Sequence, residues 1–242
     1  MTFGSAGVPW VLLPGLDGSG ALFERFREAL PRGTRLRIVS YPDRSAWTLD
    51  DYVEHVERSL PPGERPLIVA ESFSGPIALR LLCRRADLAG LVLVASFDGC
   101  PNPLLAVANA IPAAVVKAIA TSPHLLRFFC LGHDVPPEGV VALRDSIRRL
   151  PPACLRGRLG LLWSLEPVGD RVPVTPILCL EADRDRLVVA HAAAHALSRF
   201  ADVRRIDGPH FLLQARAAEC AAAIVAWLAA RGGAGRSPES GQ

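Results

Sequence analysis

The chain has 242 residues, half of them hydrophobic and 21% charged. That length supports one large α/β domain with a full core, and the composition excludes a disordered, collagen-like or coiled-coil chain. Lys and Arg total 27 against 24 Asp and Glu, and the pairs Arg84–Arg85, Arg148–Arg149 and Arg204–Arg205 lie far apart. The basic face or run of a nucleic-acid binder is therefore not expected.

Residues 8–13 form an apolar run ending at Pro14-Gly15, the pattern of a strand buried on both faces. The Gly-rich turn 15–20 follows, then a helix over about 21–30 with Leu22, Phe23, Phe26 and Leu30 on one face. Residues 35–41 read as a second strand and 48–60 as an amphipathic helix. Thr48 is its N-cap, with Asp50 and Asp51 in the first turn. Strands follow at 66–70, 91–95, 177–180 and 203–206, with helices from Ser74 to about Arg85, over 188–199 and over 214–230. This alternation predicts a mostly parallel, doubly wound sheet.

The segment between the fourth and fifth strands is too long for a simple loop. Its pattern is helical over 103–119 (apart from Pro112), 122–131, 137–149 and 153–164. The expected organisation is a core of residues 1–97 and 173–231, a helical cap over 98–172, and a disordered Gly/Ser/Pro-rich tail over 232–242.

Six cysteines at 83, 100, 130, 154, 179 and 220 form no CxxC pair. With an N-terminus unlike a signal peptide, they read as reduced, mostly buried thiols of a cytoplasmic protein. Lys117 is the sole Lys, a bias that fits a GC-rich bacterial gene. The apolar stretch 104–120 is broken by Asn109, Pro112 and Lys117, so it does not read as a membrane span. It fits cap packing that lines an apolar pocket and makes transient contact with a membrane surface.

The sharpest local signal is Leu67-Ile-Val-Ala-Glu71-Ser72-Phe73-Ser74-Gly75: strand, tight turn, helix, with Ser72 at the apex. Such a turn needs small residues two before and two after the Ser, because strand and helix nearly touch. Ala70 and Ser74 meet that need. The helix N-terminus would favour developing negative charge at the Ser. Ser74 is a rival nucleophile, though a register centred on it puts Pro76 in a small-residue place. Asp185 follows the fifth strand and His210 the sixth, so nucleophile, acid and base run in the order Ser, Asp, His. Asp183 and Asp98 are rival acids, and Glu71 reads as a buried neighbour of the site. After the first strand, the turn Pro14-Gly-Leu16-Asp-Gly18 would bring the Leu16 N–H opposite the Phe73 N–H as two oxyanion donors.

With these motifs the chain resembles the α/β-hydrolase superfamily from Val8 to about Ala230, and in particular small bacterial serine esterases. It is also similar to the acyl-handling domains of phytyl ester synthases. Pro14 stands where the superfamily usually has His, Ala182 replaces Gly in the acid motif, and Pro209 replaces the Gly before His210. The superfamily's first two strands are missing, which leaves an expected sheet of about six parallel strands.

The resemblance implies a Ser72–His210–Asp185 triad with Leu16 and Phe73 as oxyanion donors, cleaving a carboxylic ester or thioester of an apolar acyl group. Trp163, Phe128, Phe129 and Phe211 are candidate pocket residues. No metal or cofactor is expected. His191 and His195 share a helix face but lack the Glu of a metalloprotease motif, and the 15–20 glycines have the wrong spacing for a dinucleotide site. An acyltransferase on the same residues and a non-catalytic ligand-binding module are the alternatives.

Overall fold

The computed structural model describes residues 7–85, 87–133, 135–169, 175–188 and 197–233. The six strands are β1 (Trp10–Leu13), β2 (Leu36–Ile38), β3 (Leu67–Glu71), β4 (Gly90–Val94), β5 (Ile177–Ala182) and β6 (Asp202–Ile206). They form one parallel sheet in the order β2-β1-β3-β4-β5-β6. This is the expected doubly wound architecture. The order reverses at β1, so β1 and β3 leave from neighbouring positions toward opposite sides. Ligands of open parallel sheets bind outside the strand carboxyl ends at such a switch point.

Residues of β1, β3 and β4 are buried throughout, as parallel strands covered on both faces must be. Alternate side chains divide between two cores. Val11, Leu13, Ile68, Ala70, Leu91 and Leu93 face helices α2 (Leu49–Ser59) and α3 (Ser74–Arg84). Trp10, Leu12, Leu67, Val69, Val92 and Val94 face α1 (Glu24–Ala29) and the C-terminal helix. The strand at 35–41 shrinks to three residues because β2 is an edge strand, paired only with β1 and partly exposed. Thr48 caps α2 as expected, in a reciprocal capping box with Asp51.

Among the described residues, five α-helices lie between β4 and β5: α4 (Leu105–Ala110), α5 (Ala113–Ala120), α6 (Pro123–Leu126), α7 (Pro137–Arg149) and α8 (Pro152–Trp163). Proline opens α6, α7 and α8, where its missing N–H costs nothing. After α6 the chain widens into a π-type turn at Arg127–Leu131. Beyond β6 the single expected helix divides at Arg216 into α9 (Leu212–Ala215) and α10 (Ala217–Gly233). Most of the helix expected over 188–199, with His191 and His195, lies outside the described residues, as does residue 234 onward of the tail. Cys130, Cys154, Cys179 and Cys220 are buried free thiols; Cys83 and Cys100 are exposed. Among the described residues no single helix is long and apolar enough to cross a membrane.

Candidate active site

Ser72 sits between β3 and α3 with φ +48°, one of two described non-glycine residues at positive φ. An L-residue there costs about 1–2 kcal/mol, so the surroundings must hold it. They do so by hydrogen bonds. Ser72 N–H donates to the Val94 carbonyl (2.9 Å), and its own carbonyl accepts from Gly75 N–H (2.9 Å) and Ser96 Oγ (2.9 Å). Ser96 can come that close only because residue 75 is glycine: a Cβ there would lie 1.6 Å from Ser96 Oγ. In the stretch 71–79 only Ser72 is not buried, so the strained turn presents its side chain and hides the rest.

Asp185 and His210 meet Ser72 from the ends of β5 and β6. His210 Nε2 is 2.9 Å from Ser72 Oγ, and His210 Nδ1 is 2.7 Å from Asp185 Oδ2. The other Asp185 oxygen accepts the N–H groups of Leu187 (2.8 Å) and Val188 (2.9 Å). Burial opposes ionisation of Asp185, but the His210 charge, its hydrogen bond and the backbone donors outweigh it and hold the carboxyl below its ordinary range. His210 is 3% exposed. Burial disfavours its cation, yet the charge and hydrogen bond of Asp185 raise it above an ordinary imidazole.

The turn after β1 lies against this Ser. A Cβ on Gly15 would be 3.9 Å from Ser72 Cβ. The turn closes by Gly18 N–H to Gly15 C=O (3.0 Å). Three more of its carbonyls are taken: Pro14 by Ser74 Oγ, Leu16 by Arg158 Nη1 (2.8 Å) and Gly18 by Tyr41 N–H (2.8 Å). The Leu16 and Phe73 N–H groups donate to no protein acceptor among the described residues. Position 14 needs no side-chain donor here, since Pro14 contributes its carbonyl.

The rival residues are occupied elsewhere or exposed. Ser74 is fully buried, donates to Pro14 C=O and accepts from Tyr41 O–H. Burial pushes the Tyr41 phenol well above its ordinary range, which keeps it a neutral donor. Both oxygens of buried Asp98 accept Val168 N–H (3.0 and 3.1 Å). Asp183 is exposed. Glu71 is buried, and burial pushes its carboxyl up to about 8. Its Oε2 accepts a long bond from Gln214 Nε2 (3.4 Å), while its Oε1 and Gln214 Oε1 have no partner among the described residues.

Phe211 is buried in a cluster with Leu126, Leu131, Val140 and Leu143, and Phe129 packs on it. Its ring lies 5.5 Å from the His210 ring. Phe128 is more exposed (54%), under the Arg186 guanidinium, and Trp163 is 47% exposed at the end of α8. The residues not foreseen from sequence are Ser96, Tyr41, Ser146, Arg158 and Gln214, which act across the fold. Arg158 left one trace: it falls on the buried stripe of α8 with Cys154, Leu155 and Leu162, a place that calls for an apolar residue.

A profile of the alpha/beta hydrolase family matches residues 10–223. The chain belongs to the alpha/beta hydrolase family. No curated protein matches it in sequence. Among solved structures, the enol-lactonase of Burkholderia xenovorans aligns at TM-score 0.77 and 17% identity, over 92% of each chain. A thermophilic esterase of Thermogutta terrifontis aligns at TM-score 0.75 and 17% identity, over 92% of this chain and 89% of its own. A bottromycin epimerase aligns at TM-score 0.71 and 19% identity, over 92% of this chain and 91% of its own. Identities this low establish a common fold. With an epimerase among its bearers, this hydrolase fold does not by itself assign a reaction.

Proposed function

We propose that the chain is a serine hydrolase that cleaves a carboxylic ester or thioester of an apolar acyl group. The observation that carries this reading is the continuous line Ser72 Oγ–His210 Nε2 (2.9 Å) and His210 Nδ1–Asp185 Oδ2 (2.7 Å) at the strained turn. His210 Nε2 takes the Ser72 proton as Oγ attacks the acyl carbonyl, and the N–H groups of Leu16 and Phe73 stabilise the oxyanion. His210 then protonates the departing alcohol or thiol, leaving an acyl-Ser72 ester. Water, deprotonated by His210, releases the acid. Asp185 holds the Nδ1–H tautomer and offsets the imidazolium charge. The apolar cluster around Phe211 and Phe129 beside His210 supports an apolar acyl group.

The test is hydrolysis of p-nitrophenyl esters from acetate to palmitate, with Ser72→Ala beside the parent chain and a fluorophosphonate probe on both. Hydrolysis and labelling that vanish in the variant support the proposal, and the chain-length profile sizes the pocket. A folded parent chain that hydrolyses none of these esters and resists the probe overturns it.

A further inference from the structure

Arg158 is among the largest fully buried side chains, 1% exposed, and among the described residues it forms no ion pair. A guanidinium keeps its charge at any physiological pH. Burying one without a carboxylate is costly, and an apolar side chain of similar volume would pack α8 more favourably. What Arg158 holds explains its presence. Nη1 donates to Leu16 C=O (2.8 Å), Nε to Tyr52 O–H (3.1 Å) and Nη2 to Pro42 C=O (3.4 Å). The guanidinium lies flush against the turn: a Cβ on Gly18 would be 2.4 Å from Nη1.

The geometry of the turn gives this contact a catalytic consequence. Leu16 N–H and Gly15 C=O share one rigid peptide plane. The bond from Gly18 N–H fixes that plane, and Arg158 fixes the next plane through Leu16 C=O. On the other side, Ser146 of α7 donates to Asp17 Oδ2 (2.7 Å). We infer that Arg158 is the positioning residue of the oxyanion turn: from α8 it sets the direction of the Leu16 N–H and couples the inserted helices to catalysis. The inference rests on the hydrolase reading above.

The experiment compares the parent chain with Arg158→Met, Arg158→Lys and Arg158→Ala on the best p-nitrophenyl ester. It measures kcat, KM, the melting transition and inhibition by an alkyl boronic acid. The boronic acid forms a B–O bond to Ser72 Oγ while the Oγ proton passes to His210, giving a tetrahedral anion that needs the same donors.

Loss of a single oxyanion donor costs about 100- to 1000-fold, and a misdirected one should cost kcat about ten- to a hundredfold. The expected result is that fall, with KM within about threefold and the boronate inhibition constant raised in step with the loss of kcat. Millimolar guanidinium should restore part of the kcat of Arg158→Ala. If the Met and Ala variants do not fold, Arg158→Lys carries the same test, since an ammonium cannot reach three acceptors in the guanidinium's fork. A folded variant with parental kcat overturns the inference, as does a kcat loss without a matching boronate loss or guanidinium rescue. These outcomes leave the hydrolase reading standing as long as the parent chain is active and labelled at Ser72. A parent chain inert to every ester and to the probe overturns both.

Discussion

Glu71 offers a test in which an apparently disruptive change in the core should stabilise the protein. The carboxyl is 2% exposed, faces Asp17, His210 and Gln214, and is pushed by burial from 4.5 to about 8. Between those values the native state holds a proton that the unfolded chain has lost, so stability falls as pH rises. Each pH unit costs about 1.4 kcal/mol, which comes to about 3 kcal/mol by pH 7 and about 4 kcal/mol by pH 8, where the native carboxyl is half ionised. Glu71→Gln keeps the shape of the neutral acid and removes the ionisation. Its new amide lies beside Gln214, whose Oε1 has no hydrogen-bond partner among the described residues. The variant should match the parent chain near pH 4.5 and gain on it steadily above. At about 2–4 °C per kcal/mol for a chain of this size, the gain at pH 7 is roughly 6–12 °C in Tm. Thermal melts followed by circular dichroism from pH 4.5 to 8.5 read this directly. Melting curves of the two proteins that run parallel across that range would refute the argument that Glu71 is buried as a neutral acid.

Three further outcomes follow from the geometry of the site. Gly75→Ala drives a Cβ to 1.6 Å from Ser96 Oγ and should cost about 1–3 kcal/mol in urea unfolding as an overpacked contact; made in a Ser96→Gly background, which by itself gives up the bond to the Ser72 carbonyl, the same change should cost clearly less, and an equal cost in both backgrounds would refute the clash. Asp185→Asn should lower kcat about ten-thousandfold without unfolding the chain, as loss of a triad carboxylate does. Because His210 must be neutral to accept a proton and its pKa is raised, the acid limb of kcat/KM should lie above 6.5 in the parent chain. In the Asn variant burial acts without the Asp185 charge, and the limb should move down; a pH–rate profile checks both positions.

The sheet and the order of the candidate site residues were legible because both rest on local pattern. Apolar runs ending in Gly or Pro located the strands, and the small residues around Ser72 exposed the tight turn. Asp185 and His210 fell at strand ends by spacing alone. Edge effects were not legible: β2 is half the length its apolar run suggests, since hydrogen bonding to one neighbour decides where a strand ends. Nor were the contacts that act across the fold. The smallness of Ser74 suits the packing of the turn, and its hydroxyl also links Tyr41 to Pro14. Ser96 carries no local signature, and its importance arises only from its closeness to Gly75 and the Ser72 carbonyl.

The two carboxyls next to Ser72 and His210 show why environment, and not residue type, decides ionisation here. Asp185 is also mostly buried, but its three hydrogen-bonding contacts come from two backbone N–H donors and a group that becomes a cation. Ionisation is therefore favoured, and the charge sits where the imidazolium needs it. Glu71 has only a weak amide donor, and Asp17 opposes its charge. It stays neutral through pH 7. That neutrality matters because Glu71 adjoins Ser72 in the chain: an ionised carboxylate there would oppose the negative charge that develops on the acyl oxygen. Under the proposed reaction, environments that push two acids in opposite directions separate the working carboxylate from the silent one, and in this fold the separation follows from which strand end each occupies.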